Sequence, residues 1–194
     1  MKSWENCNIR FAEKEDVDEL SKMLYETEKN PTKEWGNGDY NNHIKVLRRL
    51  MLEKGNRFSY TNFKVLKKNN QLIGFFLAFE GRKLKFKTMK SDIKLYKMQK
   101  SIKDKIIFIF EMVKYLFSSE CLFNEYYLSN IYVKEEYRGL GYSHILLEAV
   151  LNDAVENRYH KISLRANNEK LVSFYKSFGY KLKNEKELKM IYKI

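Results

Sequence analysis

The chain has 194 residues, 44% hydrophobic and 32% charged, with 37 Lys and Arg against 25 Asp and Glu for a formal charge of +12. That size and apolar share suit one domain with a proper core. One proline and eight glycines argue against long flexible linkers, and Cys7 and Cys121, far apart and in no CxxC or Cys/His cluster, indicate neither a disulfide framework nor a zinc site. The first eight residues are polar and lack the apolar centre of a secretory signal, and the strongest apolar run, 106–110, is far too short to span a bilayer. These features predict a cytoplasmic protein.

In chain order, residues 9–12 read as a short strand and 16–29 as a helix, with Val17, Leu20 and Leu24 at helical spacing and Asp16 as its N-cap. Asn30-Pro31 breaks that helix, and Gly36-Asn37-Gly38 marks a loop before a second helix at about 41–53. Runs 60–67 and 72–79 are β-favourable and flank Lys68-Asn69-Asn70-Gln71, an antiparallel hairpin pattern. Residues 161–165 predict a strand, 168–177 a helix, and 182–194 two further strands divided near 184–186. The chain shows no internal repeat and no domain boundary, so residues 1–194 read as one domain.

Residues 82–123 are longer than a connection between adjacent strands needs to be, which predicts a helical insertion between the third and fourth strands. Residues 82–105 carry ten Lys or Arg against Asp92 and Asp104, +8 of the formal +12. Lys87, Lys90, Lys94 and Lys97 recur at spacings of three and four, one face of a helix, and 106–117 is apolar nearly all round. The lysines suit a solvated face with some attraction for an anionic ligand. Aromatic residues for base stacking are sparse there, so nucleic acid and an anionic membrane are the less favoured partners.

The most informative segment is Arg138-Gly139-Leu140-Gly141-Tyr142-Ser143, between the strand-like run 128–133 and a helix-like stretch at 144–155. Strand, glycine turn and helix make an anion cradle. The first helical turn has N–H groups without intrahelical partners, the dipole adds partial positive charge, and Gly139 and Gly141 let a ligand reach the backbone. Downstream lies Asn168-Glu169-Lys170-Leu171-Val172-Ser173-Phe174-Tyr175-Lys176-Ser177-Phe178-Gly179-Tyr180.

Together the two segments resemble the GNAT family of N-acetyltransferases, in detail over about the last 70 residues. Arg138-x-x-Gly141-x-Ser143 is similar to the family's Arg/Gln-x-x-Gly-x-Gly/Ala loop for the pyrophosphate of acetyl-CoA, with the small Ser143 in the last position. The later segment is similar to Asn-x-x-Ala-x-x-Phe/Leu-Tyr-x-x-x-Gly-Phe/Tyr, with Leu171 where alanine is usual. The resemblance implies a single-domain α/β fold, a mixed, mostly antiparallel sheet with helices on both faces, and a split between two central strands. It also implies direct acetyl transfer from acetyl-CoA to a primary amine of a small molecule, peptide or protein, with no metal and no acyl-enzyme. An acyl-CoA sensor or a docking module using the basic insertion is the alternative.

By that resemblance Tyr175 is the general acid that protonates the leaving thiolate. Backbone groups at Ile131 and Val133 face the cofactor arm, and Arg138, Gly139, Gly141, Tyr142 and Ser143 hold its phosphates. Asn168 supports the arm or caps a helix, or does both. Glu125, just before the strand, either accepts the amine's proton, orients a cationic acceptor, or is an exposed strand-edge charge. His43, His144 and His160 receive no catalytic role. The acceptor pocket is expected from residues 23–39 and the insertion, with Glu26, Glu28, Glu34 and Asp39 as candidate acids for a cationic amine, in a monomer or homodimer.

Overall fold

The computed structural model describes residues 6–99, 101–117 and 120–194, without the side chains of 111 and 114–117. Lys100 of the basic stretch and the end of the apolar run at 106–117 therefore lie wholly or partly outside the described residues. Strands β2 (Phe63–Lys68) and β3 (Gln71–Glu80) form the expected hairpin. Asn69 and Asn70 sit at φ +48° and +64°, a conformation that asparagine tolerates in tight turns. Strand β1 (Cys7–Phe11) pairs with β2, and β4 (Tyr126–Val133) with β3, all antiparallel. Helix α6 (Tyr142–Glu156) carries the chain over to β5 (Lys161–Arg165), which runs parallel to β4. Strands β6 (Lys181–Asn184) and β7 (Lys189–Lys193) complete the order β1-β2-β3-β4-β5-β7-β6.

The sheet separates two cores. Helices α1 (Val17–Glu26) and α3 (Tyr40–Leu52) bury Leu20, Leu24, Leu47 and Leu50 against Phe63, Val65, Phe75 and Leu77 on one face. On the other, α6 and α7 (Glu169–Ser177) bury Leu146, Val150, Val172 and Tyr175 against Ile73, Phe76, Ile162 and Leu164. Strict alternation along β3 would put Ile73 with Phe75. A bulge opposite Leu66 and Lys67 leaves Ile73 as an extra residue and flips the phase there. The chain is thus a seven-stranded, mostly antiparallel α/β domain with helices on both faces, as expected.

Three local differences from the sequence reading have physical causes. Asp16 occupies the N-cap position of α1 but does not cap it; its carboxylate accepts from the Glu13 N–H and from Arg10 at 2.7 Å, an ion pair that holds its pKa below the usual range. Helix α1 ends three residues early, where the Thr27 hydroxyl donates to the Leu24 carbonyl and competes with the helix ladder. Pro31 not only breaks α1 but starts a short helix, α2 (Pro31–Trp35), because a first-turn proline has no N–H to lose. Trp35, 1% exposed, anchors it.

Between β3 and β4 stand two helices, α4 (Gly81–Met98) and α5 (Ile102–Phe117). Gly81 begins α4 where the returning chain crosses; a Cβ there would lie 2.0 Å from the Leu122 carbonyl oxygen. The lysine face of α4 is not simply solvated. Lys87 donates to Asn62, Lys94 pairs with Glu53, and Lys90 lies over the Phe86 ring at 4.3 Å. Among the described residues no helix is long and apolar enough to cross a membrane.

Candidate functional site

Strands β4 and β5 pair only at Tyr126 with Ile162 and Tyr127 with Ser163, and then part. The β3 register shifts at the same level, where Leu77 faces Asn130 and Ala78 faces Leu128, so Ser129 is a bulge. Leu128 and Ile131, three apart, consequently reach the same core. Beyond Tyr127 one edge of β4 is left without a strand partner. A cavity of about 500 Å³ opens there, lined by Tyr127 to Ile131 of β4, Leu164 and Arg165 of β5, and Tyr175 of α7. Thr27, Glu28 and Glu34 close it from the α1–α2 side, and Asp92, Phe108 and Met112 from α4 and α5. The segment 23–39 and the helices between β3 and β4 thus build its far wall, as the sequence suggested.

That wall is acidic and internally braced. Arg57 grips Glu120 through two bonds of 2.6 and 2.9 Å and donates to the Ser129 hydroxyl at 2.8 Å. Ser129 donates to Asn130, whose amide reaches Thr27 at 2.9 Å and Glu28 at 3.5 Å. The braced bulge so hands a hydrogen bond to Glu28. Burial, with Glu34 nearby, pushes the Glu28 carboxyl up to about 7. Burial likewise raises Asp92 to about 6 against the pull of Arg57. Of the other acids the sequence offered, Glu34 lines the cavity, whereas Glu26 accepts from the Tyr132 hydroxyl and Asp39 caps α3 through the Asn42 N–H.

Tyr175 projects from α7 with 6% of its surface exposed and lines the same cavity, and burial lifts its phenol to about 12. At the far end of β4 the chain enters the glycine loop. Gly139 and Gly141 take φ +77° and +88°, left-handed values that exact a penalty from any other residue, and a Cβ on Gly139 would meet nothing within 4 Å. The loop is therefore open on that side and delivers Gly141 as the N-cap of α6. Arg138 is exposed, its Nε donating to the Val133 carbonyl at 3.0 Å and its guanidinium 5.4 Å above the Tyr132 ring.

The family described as the acetyltransferase (GNAT) domain matches residues 45–190, three quarters of the chain. The chain belongs to the GNAT family. Its chemistry is N-acetyl transfer with acetyl-CoA as donor. No curated protein matches the chain. Among solved structures it is similar to an N-acetyltransferase from Staphylococcus aureus Mu50, at 21% identity and TM-score 0.72 over 95% of this chain and 100% of that one. It is similar also to the PaiA N-acetyltransferase from Thermoplasma acidophilum in complex with coenzyme A, at 16% identity and TM-score 0.55, covering 97% and 99%. A third is the polyamine N-acetyltransferase of Drosophila melanogaster, an enzyme that forms N-acetylagmatine, at 10% identity and TM-score 0.58, covering 97% and 100%. At these identities the likeness shows the GNAT fold.

Of the residues singled out in the sequence, the cavity gathers Tyr175, Ile131, Glu28 and Glu34. Val133 ends β4 opposite Gly74, and Arg138, Gly139, Gly141 and Ser143 lie together on the loop and first turn of α6. Tyr142 contributes its backbone alone to that turn: its ring is 2% exposed, set edge-on to Tyr137, with its hydroxyl bonded to Lys68 at 2.6 Å. Asn168 caps α7, accepting from the Leu171 N–H at 2.9 Å, while neighbouring Asn167 lines the cavity and bonds the Thr27 carbonyl. The His144 ring lies against Phe178 at 4.0 Å, tilted by 44°.

Glu125 is placed away from the cavity. It is 1% exposed, accepts from the Leu122 N–H at 2.9 Å and pairs with Lys189 at 3.0 Å, which holds its carboxyl below the usual range despite burial. A carboxylate so occupied is not an exposed strand-edge charge, and it does not line the cavity. Sequence reasoning missed Arg57 and Glu120 altogether, named Asp92 only as a counter-charge in the basic stretch, and gave no role to the Asn130 side chain. Arg57 and Glu120 lie 63 positions apart in no motif, so no local signal marks them.

Proposed function

We propose that the protein transfers acetyl directly from acetyl-CoA to the primary amine of a small cationic molecule, with Tyr175 as general acid and Glu28 as general base. The observation that carries this reading is that Tyr175 and Glu28 line one cavity at the β4–β5 split, with opposite proton affinities. A carboxyl near 7 is poised to take a proton at neutral pH, and a phenol near 12 keeps one to give. The left-handed glycines and the open side of Gly139 fit the pyrophosphate of the cofactor, with Arg138, Ser143 and the first-turn N–H groups of α6 as its donors. Bound acetyl-CoA supplies the activated thioester.

Glu28 takes the proton from the attacking amine, directly or through one water, as the N–C bond forms. Tyr175 gives its proton to the sulfur as the C–S bond breaks. Backbone amides along residues 130–133, on the β4 edge that β5 has left, polarise the acyl carbonyl. Cys121 takes no covalent part, since burial and the neighbouring Glu125 and Glu120 push its thiol to about 12. Glu34 and Asp92 supply the negative field that draws a cation into the cavity of an otherwise basic chain. The agmatine and polyamine chemistry of the similar Drosophila enzyme is consistent with such an acceptor.

The test is calorimetric titration of acetyl-CoA followed by free-thiol release against a panel of amines. Binding with amine-dependent release is expected. Binding without release from any amine would make the chain a sensor, and absence of binding by folded protein would overturn the cradle.

A further inference from the structure

Helix α5 carries an apolar stripe on its solvent side. Ile102, Ile106, Ile109, Phe110 and Val113 recur at helical spacing over three turns and are 78%, 61%, 48%, 66% and 47% exposed. Isolated exposed apolar residues need no explanation, but a contiguous row of this length marks a contact surface. The helix is two-sided. Its inner residues Phe108 and Met112 line the catalytic cavity, so the stripe is not an edge of that site.

Charge decides what covers the stripe. At about 100° per residue, Lys103 and Lys105 fall on opposite flanks of the row begun by Ile102 and Ile106. Lys103 is exposed, Lys105 extends over the Tyr96 ring of α4 at 5.7 Å, and Lys97 is exposed in the last turn of α4, five residues before Ile102. Exposed apolar residues, Ile107 beyond Lys103 included, with lysines set among and beside them are the arrangement of a helix lying in a lipid interface, where methylene stems stay in the apolar layer and ammonium groups reach the headgroups. A second copy is the poorer partner. Each chain carries +12, and closing stripe on stripe would bring lysine margins towards each other.

We propose that α5 seats this acetyltransferase on an anionic lipid bilayer, the stripe entering the headgroup boundary and the exposed Lys97 and Lys103 meeting the lipid charge. The orientation turns the inner face of α5, and with it one wall of the cavity, towards the protein interior. Docking therefore does not block the site.

The test is co-flotation of the full chain with vesicles of phosphatidylcholine alone and of phosphatidylcholine with phosphatidylglycerol, at low and high salt. The wild-type chain is expected to float with the anionic vesicles and to release as salt rises. Ile106→Glu and Phe110→Glu should each weaken partitioning by about tenfold or more, and Lys103→Gln by about fivefold. All three variants should stay folded, and their thiol-release activity in solution, where the wild type has it, should be unchanged, because none of these residues lines the cavity. Flotation unaffected by Ile106→Glu and Phe110→Glu would overturn the proposal. So would a wild-type dimer by light scattering that ignores vesicles and that Ile106→Glu splits into monomers.

Discussion

Glu28→Gln separates the electrostatic argument from the family resemblance. In the folded chain the Glu28 carboxyl titrates near 7 instead of 4.5, so ionising it inside the cavity costs about 3 kcal/mol more than in the unfolded chain. Water reaching the open cavity screens part of that, leaving on the order of 1–2 kcal/mol. The sign follows from linkage: the folded state holds this proton more tightly, so the group's contribution to stability is greatest below pH about 4.5. It declines as pH rises to about 7 and is level above. Glutamine removes the decline while keeping an oxygen for the Asn130 amide. The variant should therefore resist urea better than wild type at pH 8 and about equally at pH 4.5.

Activity should move the other way. Wild-type kcat/KM should fall about tenfold per pH unit below about 7 as the base protonates. The variant should lack that limb and turn over about 10²-fold more slowly at pH 8. The acceptor's own titration is common to both enzymes, so the ratio of their profiles isolates Glu28. A variant that keeps the limb near 7 and wild-type turnover would refute the assignment. One with an unchanged difference in urea midpoint between pH 4.5 and 8 would refute the claim that the cavity raises the carboxyl.

Tyr175→Phe should lower kcat by about 10²-fold in a chemistry-limited thiol-release assay while calorimetric affinity for acetyl-CoA stays close to wild type. Gly141→Val forces a β-branched residue to φ +88° at the start of α6, so cofactor binding should vanish and stability fall by about 2 kcal/mol or more in urea. Gly139→Ala, with open space around its Cβ in the free protein, should lose only about 1 kcal/mol of stability but weaken acetyl-CoA binding, because that Cβ enters the space assigned to the pyrophosphate. Glu125→Gln breaks the buried pair with Lys189 and should destabilise the fold at neutral pH. Because its folded pKa is depressed, the loss should shrink as pH falls through the carboxylate range, with the pH–rate limb near 7 intact.

The parts of the site legible in the sequence are those whose chemistry is local. Gly139 and Gly141 announce a left-handed turn because few other residues adopt that backbone, and Asn168 announces a cap three residues before the N–H it accepts. Asn69-Asn70 does the same for the hairpin. The placing of Glu125 was illegible for an equally local reason. Glu125 looks strategic by its offset from β4, but the turn from Leu122 to Glu125 captures its carboxylate before it can face the gap. The bulge at Ser129 then changes which residues of β4 share a face, and nothing in the run 126–133 signals that shift.

By itself the sequence determined the alternation of strands and helices, the glycine loop and the tyrosine helix, since periodicity, turn chemistry and short motifs act over a few residues. Only the tertiary structure decided which carboxylates face the cavity. Glu28, Asp92, Arg57 and Glu120 come from stretches far apart in the chain, and their proton affinities are set by burial and neighbours rather than by residue type. It also decided that Lys87 and Lys94 of α4 brace the body, and that the apolar residues of α5 divide between the cavity and the solvent. A helix apolar nearly all round has no preferred inner face until the sheet supplies one.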